Sequence, residues 1–296
     1  LSILIILILG LGLGIGLGLG LRNTNNDNNN VSDDSGSPSP PTSGNTTTPG
    51  INGTFWQPPA GSTWQIVLQN PLSTFTPNIS IYDIDLFTNN ASTITHLHSL
   101  NSKVICYFSA GSYEPNRPDS KDFLATDSGK DLIGWPGEKW LDTRSENVRT
   151  IMKKRIVLAS EKGCDGIDPD NVDGFNNDSG FPLTNTTALD FLHFLADEAH
   201  ALKLAIGLKN AGAIVNETMG FLQWVVNEQC VQYNECEVFR PFIEVGKPVL
   251  HIEYVKEKGE GTVNGRMKEE ICGNEAEVGF STVLKKMELD EWVETC

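Results

Sequence analysis

The sequence is short of positive charge: 22 Lys and Arg stand against 38 Asp and Glu, for a net charge of -16. No basic cluster interrupts this acidity, which argues against a nucleic-acid partner because an acidic surface repels phosphates. A cationic partner fits better, with the solubility of an exported protein as the plain alternative reading. Histidine is scarce, five residues in all. There is no C-x-x-C and no histidine pair beside the cysteines, so a zinc site is not expected. Also missing are G-x-S-x-G, G-x-x-x-x-G-K-[ST], H-E-x-x-H and a G-x-G-x-x-G behind a strand. Their absence argues against a serine-hydrolase elbow, a P-loop, a zincin and a dinucleotide fold, and no cofactor is expected.

What is present divides the chain into three parts. Residues 1–21 carry no charge and, at about 1.5 Å per residue, reach about 31 Å, enough to span a hydrocarbon core. The run is longer than a signal-peptide core and has no A-x-A site, so an uncleaved membrane anchor is expected, with a cleaved signal as the alternative. Residues 22–53, rich in Asn, Ser, Thr, Pro and Gly, read as a disordered stalk. The folded domain is expected over 54–296. Sequons at Asn30, Asn45, Asn52, Asn78, Asn90, Asn177, Asn185 and Asn216 suit export. The even set of six cysteines suits three disulfides: Cys230–Cys236 and Cys272–Cys296 as local pairs, leaving Cys106–Cys164. The expectation is a monomeric, single-pass plasma-membrane protein with its domain outside the cell, or a secreted one if residues 1–21 are removed.

Within 54–296, β-rich runs recur at 63–69, 79–87, 103–109, 164–168, 203–209, 223–228, 248–254 and 278–285. Helical periodicity lies between several of them, clearly at 145–163 and 186–203 and more weakly at 234–246. Strands alternating with helices predict a parallel sheet, and eight strands predict an α/β protein of the (β/α)8 TIM-barrel type. The first two strands are too close for a helix between them, which keeps a doubly wound open sheet as the alternative.

A barrel of this kind places its site at the C-terminal strand ends. Polar residues fall there repeatedly: Asp83 and Asp85, Tyr107 and Ser109, Asp168 and Asp170, Lys209 and Asn210, Asn227 and Glu228, Glu253 and Tyr254. Paired carboxylates in a barrel mouth suit glycosidic bond cleavage, one protonating the leaving oxygen while the other attacks or activates water. The stretch "DPDNVDG" from Asp168 is close to a calcium loop, but Val172 and Asp173 stand where an Asp or Asn and then a Gly are needed. His96 and His98 read as surface residues, His251 as lining or packing, and Trp56, Trp64 and Trp224 as core.

The blocks "YDIDLF", "VICYFSAGSYEPNRPD", "DGIDPDNVDGF", "AIGLKNA", "VVNEQCVQYNEC" and "GKPVLHIEY", in this order, resemble glycoside hydrolase family 114, the TIM-barrel endo-α-1,4-polygalactosaminidases, over about residues 56–255. The resemblance implies a cationic amino-sugar polysaccharide as substrate, cleaved within the chain and with retention. It implies Glu228 and an aspartate of the fourth-strand block, Asp170 with Asp168 beside it, as the catalytic carboxylates. Asp83, Asp85, Tyr107, Lys209, Glu253 and Tyr254 match its blocks as substrate-binding residues, and Ser109 and Asn210 join them from the same strand ends. A carbohydrate-binding barrel without activity is the alternative.

Overall fold

A computed structural model of the protein describes residues 55–255 and 265–296. The expected anchor and stalk lie outside the described residues. Among the described residues, no helix is long and apolar enough to cross a membrane.

Eight parallel strands follow one another around a curled sheet: β1 (Trp64–Val67), β2 (Ile81–Asp85), β3 (Lys103–Ser109), β7 (Gly166–Asp170), β8 (Ala205–Lys209), β9 (Trp224–Glu228), β10 (Val249–Tyr254) and β11 (Ser281–Lys285). All eight runs read from the sequence are strands, and the architecture is that of an α/β barrel. A short β12 (Glu294–Thr295) adds antiparallel to β11, pairing Val283 with Thr295 and Leu284 with Glu294. The two ends of the sheet meet without a parallel ladder. Trp64 Nε1 donates to the Ser281 carbonyl at 2.7 Å, Lys285 Nζ donates to Gln65 Oε1 at 3.0 Å, and Leu68 N donates to the Leu289 carbonyl at 2.9 Å.

The interior is filled from alternate positions of the strands, since side chains at i and i+2 share a face. Trp64, Ile66, Ile81, Ile105, Ala205, Trp224, Val226, Leu250, Ile252 and Val283 form one buried cluster. Trp224 lies across two neighbouring strands that yield to it. A Cβ on Gly207 would sit 2.0 Å from Trp224 Nε1 and one on Gly166 2.6 Å from its ring, so glycine at both places is the condition for this tryptophan. Trp56 tilts against it from outside the strands, at 5.7 Å between ring centroids.

The helical layer is uneven. Three helices are long enough to cover the sheet: α1 (Ala91–Ser99), α2 (Glu146–Lys162) and α3 (Asn185–Ala201). In α2, Ser145 caps the N-terminus, Gly163 ends the helix at φ 91, and Val148, Ile151, Met152, Arg155, Ile156 and Ala159 form its buried stripe. α3 opens with a reciprocal capping box between Thr184 and Thr187. Among the described residues, the later connections hold α4 (Val215–Thr218), α5 (Cys230–Tyr233), α6 (Arg240–Glu244) and α7 (Gly265–Cys272). The weak helical pattern at 234–246 becomes a 3-10 turn, Cys236–Val238, followed by α6, with Pro241 in its first turn.

One feature has no counterpart among the sequence expectations. Between β3 and α2 the chain forms a small antiparallel sheet of β4 (Ser112–Tyr113), β5 (Ser128–Asp131) and β6 (Lys139–Leu141), in the order β4-β6-β5. Arg155 of α2, 1% exposed, fastens it down. Its guanidinium donates twice to Asp119 at 2.8 Å and once to the Ser109 carbonyl at 2.7 Å. The three disulfides are Cys106–Cys164, Cys230–Cys236 and Cys272–Cys296, the pairing expected from the sequence.

Candidate active site

The strand ends of β3, β7, β8, β9 and β10 deliver Tyr107, Asp170, Lys209, Glu228 and Tyr254 to one cleft of about 590 Å³, and Asn210 follows β8 into it. Lys209 is the hub. Its side chain is 2% exposed, and Nζ lies 3.5 Å from Asp170 Oδ1 and 3.6 Å from Glu228 Oε2, with the Tyr107 ring 5.4 Å away. Asp170 accepts from the Tyr107 hydroxyl and from the Asn171 amide, at 2.8 and 2.7 Å. Glu228 accepts from the Tyr254 hydroxyl through Oε1 and from Asn210 Nδ2 at 3.0 Å through Oε2.

This arrangement fixes the charges. Burial would raise the Glu228 carboxyl, but Lys209, the Tyr254 hydroxyl and the Asn210 amide outweigh it and hold the group below its ordinary value. Burial likewise works against the Lys209 ammonium, yet Asp170, Glu228 and Asp168 keep it charged. Tyr107 and Tyr254 are pushed up by burial and by the carboxylates beside them, so both stay neutral donors.

The backbone that holds these groups is unusual. Asn171 follows Asp170 at φ 60, Asn210 and Ala211 follow Lys209 at φ 51 and φ 50, and Gln229 follows Glu228 at φ 65. Left-handed non-glycine residues cost of order 1–3 kcal/mol each and gather where a site over-determines them. Here each one turns the chain sharply behind a functional side chain. Asn210 also uses Oδ1 to accept the Glu228 amide at 2.9 Å, tying β8 to β9. At the end of β3, a Cβ on Gly111 would fall 1.8 Å from the Asn171 carbonyl, so only glycine lets that turn approach the Asp170 loop. Ser109 and Ser112 complete the support, accepting from Asn171 Nδ2 at 2.9 and 3.2 Å.

The residues singled out in the sequence therefore divide. Asp170, Tyr107, Lys209, Asn210, Glu228 and Tyr254 line the cleft. Asp168 lies two residues below Asp170 on the same face and is 0% exposed, as is Asp83. Among the described residues, no N–H or hydroxyl of any other residue donates to either carboxyl. Burial raises both: Asp83, with the neighbouring Asp168 adding to it, lies well above the carboxylate range, and Asp168 rises to about 7, Lys209 and a hydrogen bond from Asp83 pulling it down while Asp170 and Glu228 push it up. Asp85 receives the amides of Phe87 and Thr88 on one oxygen and Arg117 at 2.5 Å on the other. Ser109 is buried behind Asn171. Glu253 faces away from the cleft, accepting the Val231 amide at 2.7 Å and His251 Nε2 at 3.0 Å. It anchors the start of α5 directly after Glu228. His251 is fully buried, with Glu277 at 3.1 Å on its other nitrogen. Ligand atoms of His251, Cys230 and Cys236 lie within 4.8 Å of one another, but the two cysteines are joined in a disulfide and offer no thiolate.

Comparison with known proteins gives the family. The profile of glycoside-hydrolase family GH114 matches residues 45–296. The chain belongs to glycoside hydrolase family 114. A crystal structure of Aspergillus fumigatus Ega3 in complex with galactosamine is 50% identical, with a TM-score of 0.80, and the match covers 86% of this chain and all of that one. The glycoside hydrolase domain of PelA from Pseudomonas aeruginosa, 13% identical with a TM-score of 0.64 over 79% of this chain and 98% of that one, shares the fold. Comparison with curated proteins gives no match.

As a family 114 glycoside hydrolase, the chain surrounds its paired carboxylates with more acid. Glu114, Glu138, Asp173 and Glu288 also line the cleft, against Arg117 and Lys209 as its only cations among the described residues. Arg117 is already engaged by Asp85 and by Glu114 at 2.6 Å. Burial and the nearby Glu114 raise Glu138 to about 7, and burial and Asp170 raise Asp173 to about 6. The roles of Arg117, Glu114 and Glu138 were not legible in the sequence because all three belong to the inserted sheet and its flanking loops.

Proposed function

We propose that this enzyme cleaves α-1,4-linked galactosamine polymers at internal bonds, with Asp170 and Glu228 as the catalytic pair. The observation that carries the reading is the placement of these two carboxylates on either side of Lys209 in an open cleft whose other acids outnumber its cations. A polymer of cationic amino sugars supplies the missing positive charge. A relative half identical to this chain was crystallised with galactosamine, which supports the same sugar here.

One of the pair protonates the leaving oxygen while the other stabilises or attacks the anomeric carbon. The contacts to Lys209 hold the facing oxygens no more than about 7 Å apart, a bound that admits both the roughly 5–5.5 Å of retention and the short end of the roughly 6.5–9.5 Å of inversion, so retention rests on the family resemblance. Tyr107 and Tyr254 orient the two carboxyls, and Lys209 favours the ionised form of Glu228. The buried Asp83–Asp168 pair sits beneath, outside the lining of the cleft, with its charge felt by Lys209. The same reading places the domain outside the cell: its three disulfides need an oxidising compartment, and the described sequon asparagines Asn78, Asn90, Asn177, Asn185 and Asn216 are all exposed.

The test is a digest of partly deacetylated α-1,4-galactosaminan by the disulfide-intact enzyme, with chitosan as the cationic control and products sized by mass spectrometry. Short galactosamine oligomers from the first polymer alone are expected. Equal cleavage of both, or of neither, refutes the substrate assignment.

A further inference from the structure

The cleft above Asp170 and Glu228 does not stop at Glu228. Asp173, Asn210, Glu228 and Gln229 form a saddle shared with a second cleft of about 500 Å³ on the far side. That volume is in the range that holds an oligosaccharide-sized ligand. Its outer wall is the segment from Tyr233 to Phe239, which the paired carboxylates do not use.

The wall is built to be stiff. α5 is a single turn, entered through Gln229 at φ 65 and left through Asn234 at φ 55, and the Cys230–Cys236 disulfide closes the loop around it. Behind it, a Cβ on Gly212 would fall 2.8 Å from Val238, so the floor touches the wall without a gap. Two left-handed non-glycine residues flanking one turn, with a crosslink, are a large outlay for a surface loop, and strain of this kind gathers at ligand sites. The loop presents Tyr233, 61% exposed, whose ring and hydroxyl have no partner among the described residues. Glu235 beside it lines the same cleft, and its carboxylate also lacks a partner there. An aromatic face next to an unpaired carboxylate matches a sugar carrying an ammonium group: the ring carbons pack on the aromatic face and the charge meets the acid.

We propose that Tyr233 and Glu235 form an outlying sugar subsite, Tyr233 stacking an amino-sugar ring and Glu235 taking its ammonium, so that the polymer crosses the saddle over Glu228 and occupies both clefts. This rests on the galactosamine-polymer reading above. It gives the endo mode a structural cause, because a chain gripped on both sides of the paired carboxylates is cut internally.

The test uses the full chain with disulfides intact and the inactive Glu228→Gln variant as host, titrated calorimetrically with α-1,4-galactosamine oligomers from di- to hexasaccharide. Tyr233→Ala in that host is expected to weaken the longer oligomers about tenfold and leave the disaccharide unchanged, with Tyr233→Phe restoring the affinity. Glu235→Gln is expected to weaken the longer oligomers in a salt-dependent way. In the active enzyme, Tyr233→Ala should raise KM for the polymer, leave kcat unchanged and shift products to longer lengths. Equal affinity of all oligomers for the host with and without Tyr233→Ala overturns the subsite alone. A host that binds no galactosamine oligomer overturns the substrate reading and the subsite with it.

Discussion

Replacing Asp168 by Asn separates structural from catalytic acidity in this barrel. In the fold, Asp168 is buried beside Asp83 and held at about 7, against an ordinary value of 3.8. A carboxyl raised in this way binds its proton more tightly folded than unfolded. Its contribution to stability is therefore intact below about pH 4 and is lost as pH rises through about 7. Over roughly three units, at about 1.4 kcal/mol each, the loss approaches about 4 kcal/mol. Burial and Asp168 raise Asp83 well above the carboxylate range, which favours a proton on Asp83 facing Asp168. An asparagine at 168 still offers that proton a carbonyl oxygen but cannot ionise. The difference in stability between Asp168→Asn and the parent should therefore grow in the variant's favour between pH 4 and pH 8, by up to about 4 kcal/mol or on the order of 10 °C in Tm. Thermal or urea unfolding of both proteins across this range is the assay. Taking the difference cancels every titration the two have in common. Parallel curves would refute the raised Asp168 carboxyl, and a variant that loses stability relative to the parent as pH rises would reverse its sign.

Lys209→Met removes the charge that opposes burial at Glu228, so Glu228 should rise and the acid limb of the kcat/KM profile move to higher pH; an unmoved limb contradicts the role given to Lys209. Glu138, held at about 7, becomes an anion only as pH rises through that value. The KM advantage of the parent over Glu138→Gln on cationic polymer should therefore widen, by about threefold to fivefold, between about pH 6 and pH 7.5, and a constant ratio would show that Glu138 does not meet the substrate's charge.

How much of this the sequence disclosed depends on periodicity. The eight strands were legible because each is a short apolar run bounded by breaks, and the acids of the mouth were legible because they stand at strand ends. Which acids enter the cleft was harder to see. In β10, Leu250, Ile252 and Tyr254 belong to the interior cluster, so His251 and Glu253 must face outward. That parity was available in the sequence, and it separates Tyr254 from Glu253. It does not separate Asp168 from Asp170, which share a face and differ only in depth, a property of where the strand ends in three dimensions. The small inserted sheet was invisible for another reason. Its strands are two to four residues long and only part-buried, too short to show alternation. Arg117, Glu114 and Glu138 came with it. The long-range tie from Arg155 to Asp119 also leaves no local signature, since a buried arginine on a helix stripe looks like an exposed one until its partner is placed.

The most direct test of the central claim is turnover of galactosamine polymer by Asp170→Asn and Glu228→Gln, each with its binding measured in parallel. Both carboxylates are assigned to bond cleavage, so each variant should lose about a thousandfold or more in kcat while binding galactosamine oligomers as tightly as the parent. A variant that turns over at the parental rate would remove that residue from the mechanism and overturn the paired-carboxylate account.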